Sequence, residues 1–532
     1  MNGLQSTCRA VAACAVLMLC GLGCPGTPSE QWRSALYAAN WTPATTSTDG
    51  HFLPDFSYAG YRNSEVALPT SFPGLTSFDV VAQFGADNTG ASDATAAIQS
   101  AIAAAQQAGG GVVELPQGLY RCDGTLEVTA SRVVLRGAGS GLTKLWFTRS
   151  EGLGYQSHLA FRGSVSTSNE RYLAVDGENR SATVRVNSAA GFAIGDDVSV
   201  GWIITDAFVA EHGMTGTWTV SNGQWRPIFR RKIVSIDTSA QPNTITLDVP
   251  LRYPAKVRDL ASIRKDTGYL TECGVMSLSI ANAVSWDAAW AQYQVHALEL
   301  SGVSDAWIRD VTTFESPHDD ADGFHLQNSG FLVVSSKRVT IAECDLEKAQ
   351  NRGTGGSGYL YEVSRSSEVL IRDCIGRNGR HNFIQNWDFG TSGCVFLRCQ
   401  SSGSTNVYSA SAPLGVPAYC EYHHSLAMAC LVDSCVLDDG WYGGNRKLES
   451  SGAGHSVTQS VYWNTSGDGT IRSFQFGTGY IIGTAGVSVT TSLSNSRAEG
   501  TAPEDYTEGI DIGATLSPRS LFDDQLARRL GK

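Results

Sequence analysis

The sequence predicts an all-β chain folded as a right-handed parallel β-helix, with an N-terminal capping helix and a small β-rich insertion. A recurring six-residue motif, a glycine-rich composition and one break in the recurrence support this prediction. The copies of the motif are AWIRDV (306–311), VTIAEC (339–344), VLIRDC (369–374), CVFLRC (394–399), CLVDSC (430–435) and a weaker SVTQSV (456–461). Successive copies lie 25 to 36 residues apart. That spacing is typical of the turns of a coiled parallel sheet.

Each copy supplies a short strand with alternating inward residues, such as Val369 and Ile371. One turn cannot cover its own apolar face, so stacked turns bury a continuous core and tolerate insertions at the corners. A leucine-rich repeat would need an L-x-x-L-x-L frame, and a propeller would need longer repeats with hairpin signals. Neither pattern accompanies the motif.

The composition agrees with many turns and little helix: 57 glycines stand against a charged fraction of 17%. The formal net charge is −12, and no basic run stands out. Nucleic acid is therefore excluded as a partner, since its binding requires clustered Lys and Arg. An acidic polysaccharide remains compatible, provided that a local cationic patch overcomes the overall field.

The N-terminus predicts export. Arg9 precedes an apolar run that ends near Leu22, so we expect residues 1–23 to form a secretory signal peptide. The following Cys24 resembles the lipidated cysteine of a bacterial lipoprotein, and ordinary secretion is the alternative. The protein is thus expected to be secreted or lipid-anchored at the bacterial cell envelope, with Cys24 as its one link to a membrane. No later segment is long and apolar enough to span a bilayer.

Four of the thirteen cysteines end copies of the motif. These are Cys344, Cys374, Cys399 and Cys435. The favoured interpretation is a ladder of small buried thiols in one core row. Disulfides are chemically permitted outside the cytoplasm, and zinc is disfavoured because no CxxC pair is present.

The block at 78–120 begins the solenoid. Asp93 is expected to cap a helix that runs through Ala108, and Val112–Pro116 follows as a strand. Together with Val133–Gly137, this block resembles the N-terminal cap and first turns of the pectate-lyase-like β-helix superfamily. That resemblance covers residues 78–146 and implies the fold. The superfamily includes rhamnogalacturonase-like hydrolases, polysaccharide lyases, uronate epimerases and phage depolymerases, so it leaves the chemistry open.

The remaining boundaries follow from pattern changes. Residues 24–71 are predicted as a polar N-terminal extension, 72–168 as the cap and first turns, and 169–256 as an antiparallel insertion. The turns carrying the candidate site occupy 257–494, and a charged tail occupies 495–532. Within the extension, the aromatic stretch 54–61 is expected to pack against the solenoid.

Candidate site residues were located by counting seven positions beyond the end of each motif, because equal offsets should stack along one groove. This places His318, Asn351, His381 and Tyr442 on one face, with Asp319, Arg352, Arg380 and Trp441 beside them. The nearby clusters add the substrate-binding candidates His423, His424, Arg446 and Lys447.

Three carboxylates, Asp319, Asp320 and Asp322, allow three interpretations. They are turn residues, ligands of Ca²⁺, or an acid–base pair for glycoside hydrolysis. Polygalacturonase-like hydrolases also carry paired aspartates, but their Asn-Thr-Asp, Gly-His-Gly and Arg-Ile-Lys motifs are absent from this sequence.

Elimination on a uronate needs a base, a cation for the enolate and often a tyrosine near the leaving oxygen. His381, Arg380 and Tyr442 supply these types, with His318 and the three aspartates as further catalytic candidates. We therefore expect a polysaccharide-cleaving enzyme, with elimination on a uronate-containing glycan favoured over glycoside hydrolysis. An epimerase and a non-catalytic glycan-binding solenoid are the alternatives.

Overall fold

The computed structural model describes residues 31–492 and 503–532. The expected signal peptide and the lipidation candidate Cys24 lie outside these described residues. Within the described ranges, no helix has the length and apolar character needed to cross a membrane.

Three parallel sheets wind around one core, and the predicted parallel β-helix is confirmed. Sheet 1 contains Thr76–Asp79, Gly111–Leu115, Val133–Gly137, Leu270–Thr271, Gly274–Ala281, Val303–Thr313, Lys337–Ala342, Leu370–Arg372, Val395–Leu397, Leu431–Asp433, Val461–Ser466, Tyr480–Ala485 and Tyr506–Glu508. Sheet 2 contains Thr89–Asp93, Gly118–Cys122, Thr143–Phe147, Asp345–Glu347, Ile375–Arg377, Gln400–Ser402 and Val436–Leu437, with the ends of longer sheet 1 strands.

Sheet 3 closes each turn. Its strands are Leu126–Val128, Ser157–Arg162, His296–Ser301, Ser329–Val334, Tyr359–Ser364, His381–Asn386, Cys420–Tyr422, Trp441–Gly443, Thr470–Ser473 and Ser488–Thr490. Two short pairs lie at the corners, a hairpin of Thr405–Asn406 with Val416–Pro417 and a parallel pair of Ala427–Met428 with Val457–Thr458.

The first five copies of the motif stack in register on sheet 1, as the pairings of Ala306 with Val339 and of Val395 with Leu431 show. The sixth copy was placed wrongly. Val461 pairs with Leu431 rather than with the end of the preceding copy, so the true sixth copy is SVYWNT at 460–465. The anchor cysteines form the predicted thiol ladder: all nine described cysteines are free and buried.

The cap helix runs from Thr95 to Gln107 and buries Ile98 and Ile102 against the first turns. Its N-cap residue is Ala94, not Asp93 as predicted. Asp93 instead accepts hydrogen bonds from the N–H groups of Thr95 and Asp123, which ties the helix to the following turn.

The insertion is a six-stranded antiparallel sheet with its own apolar core. Its strands are Ser166–Tyr172, Thr183–Val186, Asp197–Ile203, Trp225–Asp237, Asn243–Leu247 and Ser262–Thr267. The sheet therefore starts earlier and ends later than the predicted range 169–256. A short helix, Asp206–Glu211, and the 3₁₀ turn Val257–Asp259 complete the insertion.

Buried ion pairs seat the insertion on the solenoid. Arg252 and Arg231 contact the Glu368 carboxylate at 2.9 and 3.3 Å, and all three side chains are at most 3% exposed. Lys337 of sheet 1 similarly lies 2.8 Å from Asp197 of the insertion. We call this contact the insertion seat.

The two ends of the described chain meet on the outer face of sheet 1. Leu53 and Phe56 of the N-terminal extension pack with Phe522 of the C-terminal helix Leu521–Arg529, over outward side chains of the sheet. The Tyr37 hydroxyl also donates to Asp524 at 2.6 Å. The extension thus packs along the solenoid, as the aromatic stretch predicts. Four further short elements are Tyr61–Ser64, Trp286–Trp290, Glu449–Gly452 and Gly513–Thr515.

Candidate active site

A cleft with a volume of about 530 Å³ lies beside sheet 3. Its walls come from the strands beginning at Tyr359 and His381 and from the corner loops that follow sheet 3. Its polar lining includes Tyr359, Arg380, Asn386, His423, His424, Arg446 and Glu449. Arg380, His423, His424 and Arg446 were among the candidates derived from the sequence. The structure brings these four together.

Arg380 reaches the cleft because two successive turns approach closely before sheet 3. Its N–H donates to the carbonyl of Gly358 at 2.7 Å. Gly358 has a φ of +78°, and a Cβ at this position would lie 2.9 Å from the Cβ of Arg380. A glycine is therefore required for both the backbone conformation and the approach. The Arg380 side chain donates to the Gly353 carbonyl and lies 5.9 Å from the Tyr359 ring centre.

A second layer of polar groups lies directly behind the cleft. His381 Nδ1 donates to the Tyr419 carbonyl at 2.5 Å, and its Nε2 lies 3.3 Å from a carboxylate oxygen of Glu421. The other Glu421 oxygen forms an ion pair with Arg446. Glu421 points outward because its strand neighbours Cys420 and Tyr422 point into the core. His381 and Glu421 thus hold Arg446 in place from behind.

The cleft histidines are neutral. Burial lowers the pKa of His424 to about 4, and it lowers the pKa values of His423 and His381 well below the ordinary imidazole value. The rings of His423 and His424 stack at 4.9 Å. Ser450 lies 3.3 Å from His423 Nε2 and links this pair to the loop that carries Arg446. The cleft lining therefore combines the guanidinium groups of Arg380 and Arg446 and the Glu449 carboxylate with imidazoles whose neutral form is favoured.

Several buried polar atoms around the cleft have no hydrogen-bond partner within the described chain. They are the Nε atoms of Arg380 and Arg446, Nδ1 of His423, Nε2 of His424 and Oδ1 of Asn386. Buried polar atoms are normally paired, and such a concentration at one place indicates groups kept for a ligand.

The constant offset of seven residues does not describe the site. His381 pairs with Tyr359, whereas the rule matched it to Asn351, because the loop before Tyr359 is longer than the one before His381. Tyr442 lies in the strand beside Glu421, and its ring centre is 5.8 Å from the Arg446 guanidinium carbon. It therefore borders the cleft through Arg446. Lys447 follows in a left-handed turn and is not a lining residue.

Three substrate-binding candidates have structural contacts instead. The Asn351 amide is buried and donates to the carbonyls of Ala289 and Gln292, so it fixes a corner. Trp441 is 1% exposed and belongs to the core, because its position in the strand is an inward one. Arg352 donates to Thr405 at 2.7 Å and lies outside the cleft lining.

His318 and the three aspartates lie on an irregular loop after the strand Val303–Thr313, apart from the cleft lining. His318 Nδ1 accepts the N–H of Asp320, and the His318 carbonyl accepts the N–H of Ala321. Within the described ranges no three acidic, thiol or imidazole side chains are grouped to hold a metal ion. Of the three interpretations of Asp319, Asp320 and Asp322, the hydrogen bonds of this loop fit that of turn residues, and the Ca²⁺ and acid–base interpretations gain no support from the arrangement.

Counting offsets missed Tyr359, Asn386, Trp387, Glu362 and Glu421. Glu362 accepts from Asn386 at 2.8 Å and lies 2.9 Å from His296, so it orients Asn386. A signal was present: Glu362 and Glu421 are single acidic residues at outward positions of otherwise apolar strands.

The comparisons of the sequence with known proteins match the cap region and the residues that follow it. Residues 78–217 match a family model described as rhamnogalacturonase A/epimerase, pectate lyase-like. Mannuronan C5-epimerase AlgE3 of Azotobacter vinelandii is 53% identical over 70 residues, 12% of this chain and 4% of the relative. Alginate lyase 7 of the same organism is 48% identical over 69 residues, 12% of this chain and 8% of the relative. The chain therefore matches only a small part of these relatives' length.

Among solved structures, the tailspike gp61 of Pseudomonas phage phi297 aligns with 82% of this chain and 74% of its own, at 12% identity and a TM-score of 0.49. The resemblance that the cap motif predicts is confirmed by the family model, whose match at residues 78–217 includes the cap and the first turns.

Proposed function

We propose that this protein is a carbohydrate-active enzyme that cleaves a uronate-containing polysaccharide by β-elimination in the cleft beside sheet 3. One observation carries the proposal: Arg380 and Arg446 enter the same cleft as the neutral imidazole of His423 and the phenol of Tyr359. A cation pair, a base and a proton donor are the groups that elimination requires.

The two arginines recognise the substrate carboxylate. A guanidinium group offers paired donors in the geometry of a carboxylate, and it keeps its charge at any physiological pH. Removal of the proton α to the carboxylate spreads negative charge onto its oxygens. The arginines stabilise that enolate more strongly than the ground state, and this difference lowers the barrier.

His423 is proposed as the base, because it lines the cleft with both arginines and its buried Nδ1 has no hydrogen-bond partner within the described chain. Burial lowers its pKa, so the imidazole is unprotonated but weakly basic, and the reaction depends on the arginines to stabilise the enolate. It takes the α proton, the C–H electrons form the new double bond, and the bond to the glycosidic oxygen breaks. Burial raises the pKa of Tyr359, so its phenol is protonated and donates a proton to the leaving oxygen. The products are an unsaturated uronate and a new chain end.

Hydrolysis is less well supported, because it needs two carboxyl groups about 5 to 9.5 Å apart at the scissile bond. Glu449 is the one carboxylate among the described residues that line the cleft. Glu421 is 1% exposed and is engaged by Arg446.

Epimerisation is the second candidate, since it shares the proton abstraction and returns a proton to the opposite face. This chain is similar to proteins named as C5-epimerases and as an alginate lyase, which supports elimination and epimerisation as the two candidate reactions. Either reaction fits the export to the cell envelope that the N-terminal sequence predicts.

The test is a panel of polymannuronate, polyguluronate, polygalacturonate and hyaluronan. Elimination yields the ultraviolet absorbance of an unsaturated uronate as the chains shorten. New reducing ends without that absorbance would indicate hydrolysis, and changed uronate ratios at constant length would indicate epimerisation. Binding without any product would indicate a glycan-binding solenoid.

Two substitutions connect the activity to the cleft. His423→Phe and Arg380→Met are each expected to lower the turnover by about 100-fold or more. Arg309→Met is the matched control, because Arg309 pairs with Glu343 on the surface. Unchanged activity in both cleft variants would remove the cleft from the reaction.

A further inference from the structure

Trp387 is exposed at a place where the chain is otherwise buried. From His381 to Leu397, every residue except Trp387 and Asp388 is buried, whereas the Trp387 side chain is 45% exposed. Trp387 lines the cleft together with Arg380 and His423, and its ring centre lies 4.6 Å from that of His424. A large aromatic side chain left open on a cleft wall is unusual in a well-packed corner.

The backbone at Trp387 turns the chain out of sheet 3. Trp387 has a φ of +43°, and Asp388 follows with +73°. Ser335 and Arg365, the residues at the same place in the two preceding turns, are also left-handed, so this conformation belongs to the corner of the solenoid.

The insertion fixes the corner that carries Trp387. The Asp388 carboxylate lies 2.9 Å from Nε of Arg226 and accepts from the hydroxyl of Ser221 at 2.8 Å. The next residue, Phe389, is fully buried in the core of the insertion, 5.0 Å from the Trp218 ring. Trp387 therefore points into the cleft, Asp388 towards polar groups of the insertion, and Phe389 into the core of the insertion.

A smaller pocket of about 60 Å³ continues the cleft past Trp387. It shares Trp387, His424 and Ser451 with the cleft, and its far wall is formed by Ser221 and Arg226 of the insertion. Beyond the proposed reaction centre, the cleft thus leads to an aromatic face bordered by polar groups.

We propose that Trp387 is the stacking platform of a further sugar subsite, which the insertion positions and which binds the polysaccharide chain beyond the reacting uronate. This inference rests on the proposed function. A pyranose ring presents an apolar C–H face and a rim of hydroxyl groups. The open indole matches the face, while Ser221, Arg226 and Asp388 can meet the rim.

The test measures binding rather than turnover. Isothermal titration calorimetry with oligomannuronates and oligogalacturonates from dimer to hexamer compares the native protein with Trp387→Ala. Oligomers long enough to reach the platform are expected to bind the variant about three- to tenfold more weakly, and dimers are expected to bind equally. Trp387→Phe should restore most of the affinity.

Tyr172→Ala is the control, because Tyr172 is similarly exposed at 56% on the insertion and outside the cleft. Asp388→Asn, which weakens the anchor at Arg226, should reproduce part of the length-dependent loss, and its melting temperature, measured in parallel, verifies that the variant is folded at the temperature of the titration.

If Trp387→Ala binds every oligomer as tightly as the native protein does, Trp387 is not a stacking platform. A length-dependent loss in a protein without any elimination product would keep the platform and reject the proposed reaction. An absence of binding by the native protein to every oligomer would overturn both.

Discussion

The insertion seat and the cleft are neighbouring parts of the molecule that bury charged and polar side chains to a similar degree. At the seat each charge has a partner: Glu368 meets Arg231 and Arg252, and Lys337 meets Asp197. In the cleft, buried nitrogens of Arg380, His423 and His424 have no partner within the described chain. The difference separates a contact that holds the fold from one that is prepared for a ligand.

The largest expected effect is a loss of stability in acid, because buried histidines near the insertion and in the cleft become protonated when the chain unfolds. Burial lowers the pKa values of His212 and His455 near the insertion, and of His424 in the cleft, to about 4. The unfolded imidazole titrates near 6.5, so the unfolded chain binds protons first as the pH falls. The stability is therefore retained above about pH 6.5 and lost towards pH 4, on the order of 3 kcal/mol per histidine.

Carboxyl groups whose pKa burial raises, namely Asp433, Asp345 and Asp505, oppose this trend, and Asp433 has the largest shift. Burial raises the pKa of Asp433 to about 7, so its share of the stability grows as the pH falls from that value and offsets roughly one histidine. Melting temperatures measured from neutral pH to about pH 4 at constant ionic strength check the net sign. His212→Phe should remove one histidine's share of the slope. A flat profile would contradict the expectation.

The next effect concerns the insertion seat. Glu368→Ala leaves the guanidinium groups of Arg231 and Arg252 buried without their counter-charge, and should lower the free energy of unfolding by about 3–5 kcal/mol. Urea unfolding monitored by circular dichroism measures it. The control is Glu343→Ala, whose carboxylate is 40% exposed and pairs with Arg309, and which should cost less than about 1 kcal/mol. Equal losses of unfolding free energy in the two variants would mean that the buried Glu368 contributes no more to stability than the exposed Glu343.

The smallest expected effect is a change in the free energy of unfolding when a buried histidine is replaced, in the cleft or elsewhere in the fold. His423→Phe removes a buried imidazole with an unpartnered Nδ1, and should raise the free energy of unfolding by about 1 kcal/mol while it lowers turnover. His158 is equally buried, but both of its nitrogens are bonded, to the Arg149 carbonyl and to the Asn282 amide. His158→Phe should therefore destabilise by about 1–3 kcal/mol. Destabilisation by both variants would mean that the cleft is a structural region like any other.

The sequence predicts the solenoid well because the strands of sheet 1 must match in length and inward pattern to pair with their neighbours. Val369–Cys374 and Cys430–Cys435 show that pattern directly. The sixth copy was misplaced because Ser456–Val461 precedes its strand, and the true copy carries Tyr462 and Trp463 where the motif has smaller residues.

The site is less predictable because corner lengths vary. The offset rule reached strands of sheet 3 at His381, behind the cleft, and at Tyr442, beside Arg446, where the loop before sheet 3 is short. It failed at Asn351, where the loop is long. The repeat pattern of the sequence does not predict the exposure of Trp387. The neighbouring Asp388 is held by Ser221 and Arg226 of the insertion, which lie more than 160 positions away in sequence.

The meeting of the two chain ends on sheet 1 has a consequence for how the protein folds. A solenoid propagates by adding each turn to its neighbour, which requires only local contacts. The bond from Tyr37 to Asp524 joins residues 487 positions apart, over a surface that exists only once the intervening turns have stacked. Closing so long a loop is slow compared with adding a turn. We therefore expect the N-terminal extension to act as a latch that closes last, after which the array unfolds as one unit.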